Sequence, residues 1–335
     1  MIHPIPGGTR DVLPDEMREL RELSDRLRAV FERAGYGEVW TPAIEYEEVL
    51  RRGDERAAGA GFRLFDDRGN LLALRSDMTI PIARVVATRY AEAPPPIRLC
   101  YFAHSYRAVE RGQAQQREFL QAGVELVGAH APEGDAEVIA LVVNALSEAG
   151  LRRHRIGVGD GDLYRGLLEA LDVPADDRAR LLEALSRRDL VGLEARVGRL
   201  GLEPEPRRLL VELPAMRGGP EVLERVAAMR GGPELLERAE SPLGGPIEKL
   251  RALHAQLAEQ GVADRVIFDL GLVRELGYYT GAVLEVYDPA VGFALGGGGR
   301  YDDLLGRFGR PLPACGVALD VTRVHIAQAE EERLR

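Results

Sequence analysis

Lysine is almost missing from this chain: Lys249 is the only one in 335 residues, and the positive charge is otherwise arginine. That excludes a P-loop, whose lysine reaches the phosphates, and any mechanism that needs a lysine elsewhere. Cysteine is scarce as well. Cys100 and Cys315 fall in no CxxC or Cys/His cluster, so neither a disulfide framework nor a structural zinc is expected, and a reducing cytoplasm fits. No apolar run approaches the roughly 18 residues of a membrane span, and MIHPIPGGTRDVLPDE lacks the basic and apolar segments of a secretory signal. An excess of positive charge is lacking too: 44 Lys+Arg against 54 Asp+Glu give a net charge of -10. This argues against a basic nucleic-acid coat but leaves a local basic groove open. What is present, 45% hydrophobic and 29% charged residues, is the composition of a globular protein. The length suits two domains, or one large domain with an insertion.

Residues 15 to 34 place Met17, Leu20, Leu23, Leu27, Val30 and Phe31 at three- and four-residue spacings, which predicts an amphipathic helix stopped at Gly35. Glu38 to Ile44 reads as a strand interrupted by Pro42, at an edge or boundary. FRLFD and LLALR around residues 67 to 70 read as a hairpin, with a helix beginning near Asp77. PPPIRLCYFAHSYR, residues 94 to 107, and REFLQAGVELVG, residues 117 to 128, read as an antiparallel pair, followed by a helix over 135 to 149. From about 160 to 262 a Leu, Glu and Arg mixture predicts short helices, including the near-repeat AMRGGPEVLERV and AMRGGPELLERA within residues 215 to 240. Strand character then returns to the end. The expected division is a core of residues 1–160 and 262–335 with a helical insertion over 161–261. A sheet interrupted by helices and then completed is an α+β organisation.

Candidate chemistry sits in three places. Gly296 to Gly299 give bare backbone that a ligand or a neighbouring strand can approach closely, and read first as a turn or bulge, with a ligand site as the alternative. In REFLQAGVELVG, Gln121 and Glu125 share one face by alternation, either gripping a cationic ligand or lying on an ordinary polar surface. In LVRELGYYTG, Arg274 with Tyr278 and Tyr279 makes either a carboxylate clamp or a packed turn. His104 has no second ligand at metal or triad spacing and reads as structural; no metal site is expected.

Taken together, these segments resemble the catalytic core of the histidyl-tRNA synthetases, class II synthetases with an antiparallel sheet flanked by helices. GYGEVWTP, with Pro42, resembles motif 1; SYRAVERGQAQQREFLQAGVELVG, with Arg107, motif 2; GVALDVTR, with Arg323, motif 3. LVRELGYYTG and GGGGRYDDLL resemble the histidine-recognition segments. The resemblance implies that Asp77, Thr79 and Gln121 hold the α-ammonium group of histidine. Glu125 and Tyr279 would meet the imidazole, and Arg274, with Tyr278 nearby, the carboxylate.

Departures narrow the resemblance. Ala108 and Val109 follow Arg107 where His-Glu is usual, with Glu110 displaced by one place. LRSDMT replaces LRPEGT, Gly277 replaces an aspartate, and Asp320 stands where motif 3 has glycine, beside the seat of the ATP phosphates. Only twelve residues follow Arg323, so no anticodon-binding domain is expected. LRSDMTIPIAR, REFLQAGVELVG and LGYYTG look closer to the regulatory-subunit family of ATP phosphoribosyltransferase. That resemblance implies a chain without catalytic residues or cofactor, with Arg107 and Arg323 as phosphate-facing remnants. It further implies a four-plus-four hetero-octamer with the short catalytic subunit, self-dimerisation through the motif 1 region, histidine as effector, and neither tRNA nor membrane as partner. The alternative is a stand-alone histidine-activating paralogue acting on a substrate other than tRNA.

Overall fold

The structure is a computed structural model that describes residues 5–55, 61–108, 116–227, 244–273 and 277–335. The first helix, α1 (Pro14–Arg33), opens on a proline that needs no donor and on Asp15 and Glu16, whose charge suits a helix N-terminus. Leu20, Leu23, Leu27, Val30 and Phe31 are buried as the spacing predicts, whereas Met17 stays 40% exposed. The strand expected over Glu38 to Ile44 forms instead as two short pieces, β1 (Gly37–Glu38) and β2 (Ile44–Tyr46), in different sheets. Pro42 falls between them, where the missing N–H interrupts no ladder.

After α2 (Glu47–Gly53), strands β3 (Arg63–Phe65) and β4 (Leu71–Leu74) pair as the expected hairpin, and β2 completes this small sheet against β4. Helix α3 (Thr79–Arg89) follows, and Asp77 Oδ1 accepts the Ile80 amide at 3.1 Å. β5 (Ile97–Tyr106) and β6 (Glu118–Val127) form one unbroken antiparallel ladder from Ile97↔Val127 to Tyr106↔Glu118. Glu110, between them, lies outside the described residues.

Beyond α4 (Glu133–Glu148) come β7 (Arg155–Asp160), α5 (Gly161–Ala170), α6 (Ala175–Ser186), α7 (Leu190–Val197), α8 (Pro204–Glu212), β8 (Arg217–Gly218), α9 (Glu221–Ala227) and α10 (Gly244–Glu259). The second copy of the near-repeat lies outside the described residues. The chain ends with β9 (Val266–Asp269), β10 (Ala282–Tyr287), β11 (Ala294–Arg300), β12 (Ala314–Asp320) and α11 (Val321–Arg333). Nine of the described strands make one sheet in the order β1-β5-β6-β12-β11-β10-β7-β9-β8, parallel only at β1/β5 and β7/β9.

The helical stretch is sewn to this sheet. β8 pairs with β9, and the buried Asp269 carboxylate binds both Arg188, at 3.2 Å, and Arg217. Leu163, Leu167, Leu250 and Leu253 join the same core as Val142 and Leu146 of α4. Helices α1, α4 and α11 cover that face, while α2, α3 and the small sheet lie toward the other, with its own core of Met78, Ile82, Leu99 and Leu305.

The glycine run corrects an expectation. It is not a turn but the middle of β11, paired with β10 on one side and β12 on the other, with a shift of register against β10 just before it at Leu295. The strands run so close that a Cβ at Gly298 would strike the Gly316 carbonyl, which is why bare backbone is needed there.

Candidate functional site

The site begins with alternation on two paired strands. Leu99, Tyr101, Ala103 and Ser105 of β5 stand opposite Glu125, Gly123, Gln121 and Phe119 of β6, so all share one sheet face. On β12, Gly316 and Asp320 pair with Glu125 and Gln121 and extend that face. Three glycines leave room for the larger side chains. A Cβ at Gly123 would collide with the Tyr101 phenol, one at Gly316 with the Glu125 carboxylate, and one at Gly299 with the Tyr279 ring at 2.8 Å.

Glu125 is the centre of this arrangement. It is 1% exposed, accepts a 2.8 Å hydrogen bond from the Thr79 hydroxyl on one oxygen, and accepts the Tyr301 hydroxyl on the other. Burial lifts its pKa to about 8, against the two hydroxyl bonds, and the charge of Asp77 lifts it further. Asp77 is raised to about 6, chiefly by burial, with the charge of Asp54 adding to it. Asp77 Oδ2 is shielded from solvent and has no hydrogen-bond partner among the described residues, and neither does the neighbouring Ser76 hydroxyl. None of the larger influences on either carboxyl is a cation. The turn holding Asp77 is fixed by buried Arg75, which donates to the carbonyls of His104 (2.8 Å), Thr41 (2.6 Å) and Pro42 (3.0 Å).

An aromatic wall closes the site. Tyr278 packs on Tyr279 with centroids 4.8 Å apart and meets Tyr301 edge-on at 5.9 Å. Tyr278, Tyr301 and Tyr101 are all buried. The arrangement is a polar chamber with paired carboxylates, one oxygen lacking a donor, and hydroxyl-bearing rings. Such a chamber suits a compact cationic or zwitterionic ligand with a polar ring.

The structure brings Asp77, Thr79, Glu125, Tyr278 and Tyr279 together. Gln121 is on the same face one step along, where its Oε1 accepts the Ser105 hydroxyl at 2.6 Å. Arg274 lies outside the described residues. Tyr101 and Tyr301 were not among the expected site residues. The run GGGGRYDDLL held Tyr301 in view, but only strand register aims it at Glu125. His104 lies exposed on β5.

Arg107 and Arg323 sit beyond Gln121. Arg107 stacks over Phe119 at 5.2 Å and Arg323 over Phe293 at 5.5 Å. Asp320 caps α11, accepting the Arg323 amide at 3.1 Å, and its second oxygen lies 3.4 Å from the Arg323 guanidinium. The seat that a helix N-terminus and an arginine would offer an anion is therefore occupied by the chain's own carboxylate. On the opposite side, Val39, Trp40, Pro42, Val85 and Tyr90 line an open groove of about 810 Å³, where Trp40 is 95% exposed. Among the described residues no His/Cys/Asp/Glu cluster could hold a metal, and no helix is long and apolar enough to cross a membrane.

Comparison with known proteins agrees with this geometry. The histidyl-tRNA synthetase family model matches residues 8–324. The ATP phosphoribosyltransferase regulatory subunit of Symbiobacterium thermophilum is 45% identical over 98% of this chain and 81% of its own length. That of Desulforamulus reducens is 41% identical over 96% and 78%. The crystal structure of an ATP phosphoribosyltransferase regulatory subunit/histidyl-tRNA synthetase from Bacillus halodurans superposes with a TM-score of 0.88 at 32% identity, covering 98% of this chain and 84% of that one. A histidyl-tRNA synthetase from Nostoc, at 22% identity and TM-score 0.80 over 100% and 77% of the two chains, shares the fold. Built on the histidyl-tRNA synthetase core, the chain belongs to the family of ATP phosphoribosyltransferase regulatory subunits.

Proposed function

We propose that this chain is a non-catalytic regulatory subunit of ATP phosphoribosyltransferase, acting in the cytoplasm on the short catalytic subunit and conferring inhibition by histidine. The observation that carries the ligand assignment is the shielded Asp77–Glu125 pair with an acceptor oxygen left open. In this reading Asp77, Thr79 and Gln121 take the α-ammonium group, Glu125 and Tyr279 the imidazole, and Arg274 with Tyr278 the carboxylate. A zwitterion supplies both the missing donor and the missing positive charge.

The same reading treats residues 161–261 as an insertion in a core of 1–160 and 262–335, and assigns the chain no tRNA partner and no cofactor. Arg107 and Arg323 are remnants of a phosphate site, and Asp320, already seated there, speaks against adenylation. The exposed Trp40 groove is where a second copy of the chain would dock, and four copies would assemble with four catalytic subunits.

Histidine inhibits only by binding one conformation of the complex better than another, and a coupling of about 1 to 3 kcal/mol moves activity roughly 5- to 150-fold. The test is the steady-state rate of the short catalytic subunit with and without this chain across a histidine titration. Activation by the chain and inhibition by histidine are expected; an unchanged turnover would sink the assignment. Histidine-dependent exchange of pyrophosphate into ATP by the chain alone would favour an enzyme instead.

A further inference from the structure

Resting on the ligand reading above, we propose that Asp54 is a positioning residue for this pocket: by accepting the Gly277 amide it fixes the turn carrying Tyr278 and Tyr279. Asp54 is buried at the C-terminal cap of α2, where its own amide bonds the Leu50 carbonyl at 2.9 Å. Its mounting is rigid. A Cβ at Gly53 would meet the Ile80 side chain at 2.6 to 2.8 Å, so the end of α2 lies directly on the first turn of α3. Arg307 also holds the Gly53 carbonyl at 2.5 Å.

From this mounting Asp54 Oδ2 accepts the Gly277 amide at 3.1 Å. The far end of the tyrosine turn is tied separately, by the Thr280 amide to the Arg300 carbonyl at 2.8 Å and by the Thr280 hydroxyl accepting the Asp302 amide at 2.9 Å. Asp54 is thus the tie on the near side, and Tyr278 and Tyr279 hang between the two. A bond to an ionised acceptor is the stronger kind.

The carboxylate has a second effect that an amide would not share. Asp77 is faced by Asp54 from α2, Glu125 from β6, Tyr101 from β5 and Tyr278 from the turn; Asp54 and Glu125 are the acidic groups among them. The negative charge of Asp54 raises Asp77, which must be ionised to hold an ammonium group.

The experiment uses the full chain: calorimetric titration with histidine across pH 5 to 8 for wild type, Asp54→Ala and Asp54→Asn, with hydrogen exchange at the Gly277 amide. Asp54→Ala should weaken histidine binding about tenfold or more and speed Gly277 exchange, the loss of one charge-assisted hydrogen bond. Asp54→Asn keeps an acceptor for Gly277, so it should retain slow exchange and near wild-type affinity at pH 8. Asp54→Ala with wild-type affinity and unchanged Gly277 exchange would overturn the proposal, as would Asp54→Asn failing to restore slow Gly277 exchange. Should wild type itself not bind histidine, the ligand reading fails, and the Gly277 exchange still decides whether Asp54 positions the turn.

Discussion

On strand β6, Ala122, Val124 and Leu126 enter a dry core beneath α1, α4 and α11, while the alternate residues Gln121, Gly123 and Glu125 line a polar chamber. The neighbouring β5 divides in the same way, Cys100 and Phe102 against Tyr101 and Ser105. One face is packed side chain to side chain, and its stability comes from burying apolar area. The other has three glycines where side chains would fill space, and two carboxyls held above their ordinary pKa. The same backbone therefore supports two opposite economies, and a one-residue shift of register would exchange them.

The largest effect should come from making the dry face resemble the wet one. Val124→Asp buries a charge with no partner and should cost about 4 kcal/mol or more, read as loss of cooperative thermal unfolding. Making the wet face resemble the dry one should lose the ligand, with a smaller cost to the fold that arises because a methyl at Gly316 would also press on the Val124 carbonyl. Gly316→Ala places a methyl group in the Glu125 carboxylate, and histidine affinity by calorimetry should drop about a hundredfold. At the rim of the wet side, Trp40→Ser should weaken self-association by about 2 kcal/mol in sedimentation equilibrium and leave the melting temperature nearly unchanged.

The smallest effects distinguish the faces by pH. Glu125 releases its proton near pH 8 when folded but near 4.5 when unfolded, so the unfolded chain holds fewer protons between those values and stability falls as pH rises. Glu125→Gln should remove this pH dependence, so that its stability relative to wild type rises from pH 4 to pH 8. His154, buried on the packed side beside Glu331, has the opposite sign. Burial and Arg265 lower it from 6.5 to about 4, so the unfolded chain holds more protons in that interval and stability falls as pH drops through it. His154→Phe should flatten the acid side of a plot of melting temperature against pH.

Sequence pattern reached the elements well where period and burial coincide. The α1 stripe, the β3–β4 hairpin and the shared face of Gln121 and Glu125 could all be read from local spacing. It failed where meaning depends on a distant partner. The glycine run looks like a turn because its reason, the backbone of β12 and the ring of Tyr279, is not local. Tyr101 and Tyr301 become site residues only once Gly123 makes room for one and Glu125 binds the other. Pro42 announced a break in the strand expected over Glu38 to Ile44, but only the three-dimensional arrangement sends β1 and β2 to separate sheets.

Asp320 has a consequence for what the chamber next to it can report. Cells hold nucleotides and free phosphate in abundance, and an open arginine at a helix end would sample them continually. With a tethered carboxylate in that place, such anions would have to compete with a charge the chain itself holds beside Arg323. In the proposed reading, the chamber would then report amino-acid supply with less interference from the phosphate-bearing solutes around it.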